Sequence, residues 1–337
     1  MDIKPNPFSL YDFLGYFTPG ALTIYGGILV RAHIEGPLTL ENAPEAISIS
    51  KSELYVPFIL SAYLLGHFLS FLSSVTVERY AIWSHGYPSR FLLNLPVNGF
   101  WEVEKKQERA VRFFLGIVLF PIPLFGHTVG RLLCLRTLFA KPLDERLSSL
   151  LREKVKGLII HNGQIKKPEK YTLEEDHDFF RYVYHFSVEN SSNHLPKMQN
   201  YVALYGFIRT VCFVFIIGSW FVTCHLVDHL LHASNGEYVS IAPLFWMSAS
   251  LMAICYVAYM GFMKFYRRFS LEALMAMAVI YLGEPIPTFK SPLGMLRVLF
   301  HLNVNGRTKN KRATWPLFLL FTSRMESFTN PPPPPPA

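Results

Sequence analysis

The apolar residues of this chain are gathered in separate blocks instead of amphipathic stripes, and that arrangement restricts the fold to one that crosses a lipid bilayer. The blocks run from about Phe13 to Val30, Leu54 to Val77, Thr210 to Val227 and Pro243 to Phe265. Each is close to the ~20 residues that a spanning helix needs at about 1.5 Å rise per residue. Stretches such as FILSAYLLGHFLSFLSS and LFWMSASLMAICYVAYMGFM contain no Asp, Glu, Lys or Arg, as a lipid-facing segment requires. A soluble core helix of this length would show a polar face. The expected fold class is an all-α membrane protein, four transmembrane helices with a mainly helical cytoplasmic region.

Charge sets the expected orientation. The connection from Arg31 to Glu53 holds two basic residues against four acidic ones, whereas Glu78 to Asn200 holds eighteen against thirteen, and the chain after Gly261 ten against three. Arg79, Arg209, Lys264, Arg267 and Arg268 stand at the ends of the blocks, where the positive-inside bias is read. Both termini are therefore expected in the cytoplasm, in a multi-pass protein of a bacterial inner membrane. The formal net charge of +8 is accounted for by this bias and by a bilayer with anionic headgroups as partner, so nucleic acid is not needed. MDIKPNPFSLYD, with one Lys and two Asp, lacks the basic start and small-residue exit of a cleaved signal peptide. Cys134, Cys212, Cys224 and Cys255 form no CxxC pair and read as reduced thiols.

The organisation expected is 1–77 as the first two transmembrane helices with external loop 31–53, and 78–200 as the cytoplasmic region. There follow 201–265 as helices three and four, 266–290 as a cytoplasmic helix, and 291–337 as a basic, proline-rich and disordered tail ending in Pro331–Pro336. Within the cytoplasmic region, the segment 113–126 (FFLGIVLFPIPLFG) is too short and too broken by Pro121 and Pro123 to span, and reads as interfacial or re-entrant. Leu143 to Leu158 reads as a basic amphipathic helix suited to a membrane surface. Leu173 to Val188 reads as a helix capped by Thr172. Pro19 and Gly20 are expected to bend the first helix, and Tyr25, Gly26 and Gly27 to bring its backbone against a neighbour. In the second block, Ala62, Gly66, Ser70 and Ser74 recur every fourth residue, a small-residue ridge for close helix packing, either inside the bundle or between copies.

YDFLGYFTPG (Tyr11 to Gly20) followed by YLLGHFLSFLSSVTVER (Tyr63 to Arg79) resembles a pattern in uncharacterised bacterial four-span inner-membrane proteins that open with a YDFLGYxxPG-type first helix. The resemblance covers the first two blocks and, loosely, the order of the others. It implies the same membrane architecture and brings no catalytic residues with it.

Chemistry-bearing residues are few. CHLVDHLLH places His225, His229 and His232 on one helical face beside Asp228, a set that could hold Zn²⁺ or Cu²⁺ at the periplasmic interface, with His33 and Glu35 as further donors. The outer two imidazoles are about 10 Å apart along the axis, so interfacial histidines are the favoured reading and no cofactor is expected. His67, near Ser70 and Ser74 inside the second block, is a functional candidate because ionisable groups in a bilayer are costly; a neutral imidazole hydrogen-bonded to a serine is favoured over a proton path or haem ligand. The acids around His177 explain themselves as a first helical turn. Asp12 and Arg209 are expected to reach headgroups separately. No phosphate loop, GxSxG or HExxH occurs. The expected role is non-catalytic: a membrane anchor, sensor or effector, with a cytoplasmic protein partner or self-association into a pore as versions of it. The alternative is a membrane metalloprotein or redox enzyme built on the histidine cluster.

Overall fold

The computed structural model describes residues 13–35, 55–97, 99–102, 105–162, 170–191, 193–232 and 242–281. All of them fall in one compact unit, Met1–Gly283. Asp12, most of the loop 31–53, the end of the expected 266–290 helix and the tail beyond it lie outside the described residues, as do the side chains of His33 and Glu35.

No strand occurs among the described residues. Three helices are long and apolar enough to cross a membrane, within Tyr55–Leu92, Leu195–Leu231 and Ala242–Ile280. The first apolar block is also helical, but a π-helical turn over Phe13–Phe17 precedes α1, Thr18–Glu35. Pro19 therefore stands two residues after the π-helical turn, inside one continuous run of helix from Phe13 to Glu35. Arg31, His33 and Glu35 in its last five residues keep α1 outside the set of three.

The second block is α2, Tyr55–Ser73, which passes through a π-helical turn, Ser74–Glu78, into α3, Arg79–His85. After α4 (Pro88–Leu92) come α5 (Lys106–Val118), α6 (Pro121–His127), α7 (Val129–Leu132) and α8 (Arg136–Phe139). Next are α9 (Glu145–Asn162), α10 (Phe179–Asn190), α11 (Leu195–His232) and α12 (Ala242–Ile280). The long helices α11 and α12 are the principal packed pair.

Burial falls into two cores. The first gathers Leu69 and Val77 from α2 and its π-turn, Cys212 and Ile216 from α11, and Cys255, Tyr259 and Phe262 from α12. The second gathers Leu151, Val155 and Leu158 from α9, Phe179 and Val183 from α10, and Leu274 and Met277 from the far end of α12. The apolar stripe of α9, expected on a membrane surface, is therefore covered by α10 and α12. Large side chains left exposed, among them Leu64, Phe68, Trp246 and Val257, lie on the outer faces of the long helices, where a bilayer in place of water makes exposure favourable.

Helix α10 starts at Phe179, six residues later than the Thr172 cap predicts. Side chains compete for the local backbone: Asp176 accepts the Asp178 amide at 2.9 Å and the Tyr171 hydroxyl at 2.7 Å, closing a turn in place of the first helical turn.

Candidate functional site

Helices α1 and α2 touch backbone to backbone. A methyl group added to Gly20 would overlap the Ala62 carbonyl, and one added to Gly66 would overlap the Tyr16 carbonyl. The Ala62–Gly66 part of the ridge is thus taken up by the same chain's first helix. Gly26 and Gly27 meet nothing within 4 Å among the described residues, so the close approach, at Gly20 and Tyr16, lies about two to three turns earlier than expected. The ridge also shifts. The buried positions of α2 are Ala62, Gly66, Leu69 and Ser73, because a stripe at 3.6 residues per turn drifts off a strict four-residue repeat. Ser70 and Ser74 are only half-buried, and the Ser74 hydroxyl donates back to the Phe71 carbonyl at 2.7 Å.

His67 is exposed on α2 and held by rings. Tyr16 stacks on it with centroids 3.8 Å apart, and Tyr63 meets it edge-on at 4.6 Å. These aromatic contacts occupy the place where a serine hydrogen bond was expected.

Arg209 lies at the basic end of the bundle and corrects the expectation of a separate, headgroup-seeking side chain. Its guanidinium pairs with the Glu78 carboxylate, with the two side chains 11% and 21% exposed. It also donates to the Ser73 hydroxyl at 3.1 Å and to the Ser70 carbonyl at 3.4 Å. Ser73 in turn is 3.3 Å from the Thr210 hydroxyl. This polar knot joins α2 to α11 at the level where Tyr205 stacks on Tyr266 of α12 at 4.9 Å. Nothing in sequence spacing points to Glu78, since the pair is separated by 131 residues.

The expected interfacial or re-entrant segment 113–126 lies in a helix pair, Lys106–Val118 and Pro121–Leu132, bent by 87°. Pro121 and Pro123 fall in the first turn of α6, where their missing amides are tolerated. The Val118 carbonyl at the bend accepts the Trp220 indole N–H at 2.7 Å, and Phe120 packs edge-on against the same ring. Trp220 is eleven residues, about 16 Å, along α11 from Arg209. Before the bend, Arg112 donates to the Phe100 carbonyl at 2.6 Å and lies over the Trp83 ring. After it, Arg267 of α12 donates to the Lys141 carbonyl at 2.8 Å. Both flanks of the segment are therefore held by contacts toward the basic end of the bundle, and its bend packs on α11 at Trp220. Arg131 and Arg136 remain exposed.

Below the bundle, buried Arg90 of α4 ties the second layer together. It donates to the Pro96 carbonyl at 3.1 Å and the Glu174 carbonyl at 2.8 Å, and stands 3.1 Å from His177 Nδ1. The acidic stretch is thus an anchor for an arginine through its backbone. Burial, and then the hydrogen bond to Asp176, push the Tyr171 hydroxyl above its usual pKa. The His194 imidazole and Lys197 meet Glu272 of α12 at 2.7 and 3.8 Å, and the Ser187 hydroxyl donates to the Ala273 carbonyl at 2.9 Å.

At the opposite end of α11 the His225 and His229 rings meet edge to face with centroids 4.6 Å apart. Asp228 lies on the same helix, and the side chain of His232 lies outside the described residues. Among the described residues, no group of three or more His, Cys, Asp or Glu side chains is placed to hold a metal ion. Cys212 and Cys255, buried between α11 and α12, have their sulfurs 3.9 Å apart as free thiols.

No family model matches the sequence, and neither the curated proteins nor the solved structures give a match.

Proposed function

We propose that this chain is a multi-pass bacterial inner-membrane protein that works without catalysis, as an anchor or sensor that joins a helix bundle to a cytoplasmic helical layer. The observation that carries the reading is α12. One unbroken helix of 39 residues places Cys255, Tyr259 and Phe262 in the first core and Leu274 and Met277 in the second. A displacement of the bundle would be passed along this rod to α9 and α10, with the Arg209–Glu78 pair joining α2 to α11 in the bundle and the His194–Glu272 pair holding the far half of α12. The basic end faces the cytoplasm in this reading, and the bent pair α5–α6 is re-entrant from that side.

The pore-forming version is weaker, because Ala62 and Gly66, part of the seam that it would use, are held by Gly20 of α1 and by Tyr16 of the π-helical turn before it. The metalloprotein alternative rests on the proximity of His225 and His229.

Two measurements on induced cells test the reading. A voltage-sensitive dye should report an unchanged membrane potential, and a photo-crosslinking residue at exposed Leu150 or Tyr182 should yield a discrete adduct with a cytoplasmic protein. Depolarisation on induction, or the absence of any adduct from both positions, would overturn it.

A further inference from the structure

The return from the bent helix pair forms an open groove at the surface. It measures about 490 Å³ and is lined by His85 at the end of α3, Asn94 and Val97 of the following loop, and Arg136 and Ala140 of the α8 turn. A second hollow of about 620 Å³ shares Asn94 and Pro142 with it and adds Lys141 and Arg152 together with the carboxylates of Asp144 and Glu145. The His85 ring stacks on Phe139 at 5.5 Å and meets Tyr259 edge-on at 6.3 Å. Its Nδ1 is enclosed without a hydrogen-bond partner among the described residues. Arg136 is exposed and forms no ion pair among the described residues.

The stretch of chain that carries Arg136 also carries three leucines left uncovered among the described residues: Leu132, Leu133 and Leu138 are 81%, 61% and 66% exposed. A cation and an imidazole together with uncovered apolar side chains match a ligand that is anionic at one end and hydrocarbon at the other. The depth agrees. Phe139 packs on Tyr259, five residues or about 7 Å along α12 from Lys264, the level at which headgroups meet the bundle's basic end. We propose that this groove is a specific site for the phosphate of an anionic glycerophospholipid, with Arg136 and His85 on the phosphate and the leucines against the acyl chains. The proposal rests on the membrane reading above.

Native mass spectrometry of the purified full-length chain, titrated with phosphatidylglycerol or phosphatidylcholine, tests it. Wild type should retain one phosphatidylglycerol with a preference of about fivefold over phosphatidylcholine. Arg136→Gln should lose that preference, and Arg146→Gln, an exposed arginine on α9, should keep it. Equal retention of the two lipids by wild type, or an unchanged preference in Arg136→Gln, would overturn the site. Displacement of the lipid by millimolar inorganic phosphate would overturn the lipid commitment in favour of a free phosphate. Recovery of both variants in the membrane fraction separates failure of the site from failure of the membrane reading.

Discussion

The Arg209 guanidinium closes on the Glu78 carboxylate between α11 and the π-helical turn that follows α2, and the same guanidinium reaches the Ser73 hydroxyl and the Ser70 carbonyl. A charge so enclosed is tolerable only while each donor has an acceptor. The π-turn matters because it shifts the register of α2 beyond Ser73 and brings Glu78 to the arginine.

Removing one partner should therefore be worse than removing both. Arg209→Met alone, or Glu78→Gln alone, is expected to cost about 2–3 kcal/mol, since it leaves a mostly buried group unpaired. Arg209→Met combined with Glu78→Leu should recover a large part of that loss. Thermal unfolding in detergent of wild type, both single variants and the double variant reads the coupling directly.

The contact of α1 with α2 admits no side chain. Gly20→Val or Gly66→Leu would drive a methyl group into a carbonyl of the facing helix, and over-packing of this kind costs about 1–3 kcal/mol or more. The expected outcome is a protein with unchanged oligomer mass and an α1 that proteases cleave faster. A fall in oligomer mass in Gly66→Leu would instead show that the ridge joins separate copies.

Residue patterns show the apolar blocks and the Ala62–Gly66 contact surface, because a bilayer tolerates few polar residues and a close helix contact needs small ones. They do not show partners that depend on three-dimensional meeting. Glu78 for Arg209, Val118 for Trp220 and Glu174 for Arg90 are separated by tens to more than a hundred residues. Local rules also fail where a side chain outcompetes them. Asp176 closes its own turn and delays α10, and the helical drift of α2 replaces Ser74 by Ser73. The amphipathic pattern of α9 was legible, but its occupant was not: an apolar stripe reads the same whether lipid or α12 covers it.

Tyr171 gives the second layer a pH dependence of definite sign. Its folded pKa is raised by burial and by the hydrogen bond to Asp176, whereas the unfolded chain ionises it near about 10. The stabilisation is thus complete below about pH 10 and is lost as pH rises from there toward the folded value. Melting temperatures measured from pH 8 to 11 should fall more steeply at the alkaline end for wild type than for Tyr171→Phe. Parallel curves would exclude Tyr171 as a contributor.

The outer histidines should not retain metal. His225 and His229 bring two imidazoles together, and two neutral donors on one helix leave a Zn²⁺ ion short of the usual four ligands. Elemental analysis of purified protein should find less than one equivalent of zinc or copper, with no change in a His225→Ala, His229→Ala, His232→Ala variant. Stoichiometric metal in wild type that disappears in the variant would establish the metalloprotein reading instead.

The bent pair α5–α6 makes the most direct topological prediction. Its two approaches are fixed at the same end of the bundle, by Arg112 on the Phe100 carbonyl and by Arg267 on the Lys141 carbonyl, while its bend hangs from Trp220. With exposed Cys134 and Cys224 first replaced by serine, single cysteines in place of Lys106 and Lys141 should react with a membrane-impermeant maleimide from the same side of sealed vesicles. A cysteine at Phe120, beside the bend, should react slowly from either side. Trp220→Phe removes the indole donor and leaves the Val118 carbonyl without it, a loss of about 1 kcal/mol or more in an apolar setting. It should raise the reactivity of the Phe120 position without changing the side from which Lys106 and Lys141 are reached. Labelling of those two positions from opposite sides would make the pair a broken span that crosses the membrane, which the shared end of its two anchors argues against.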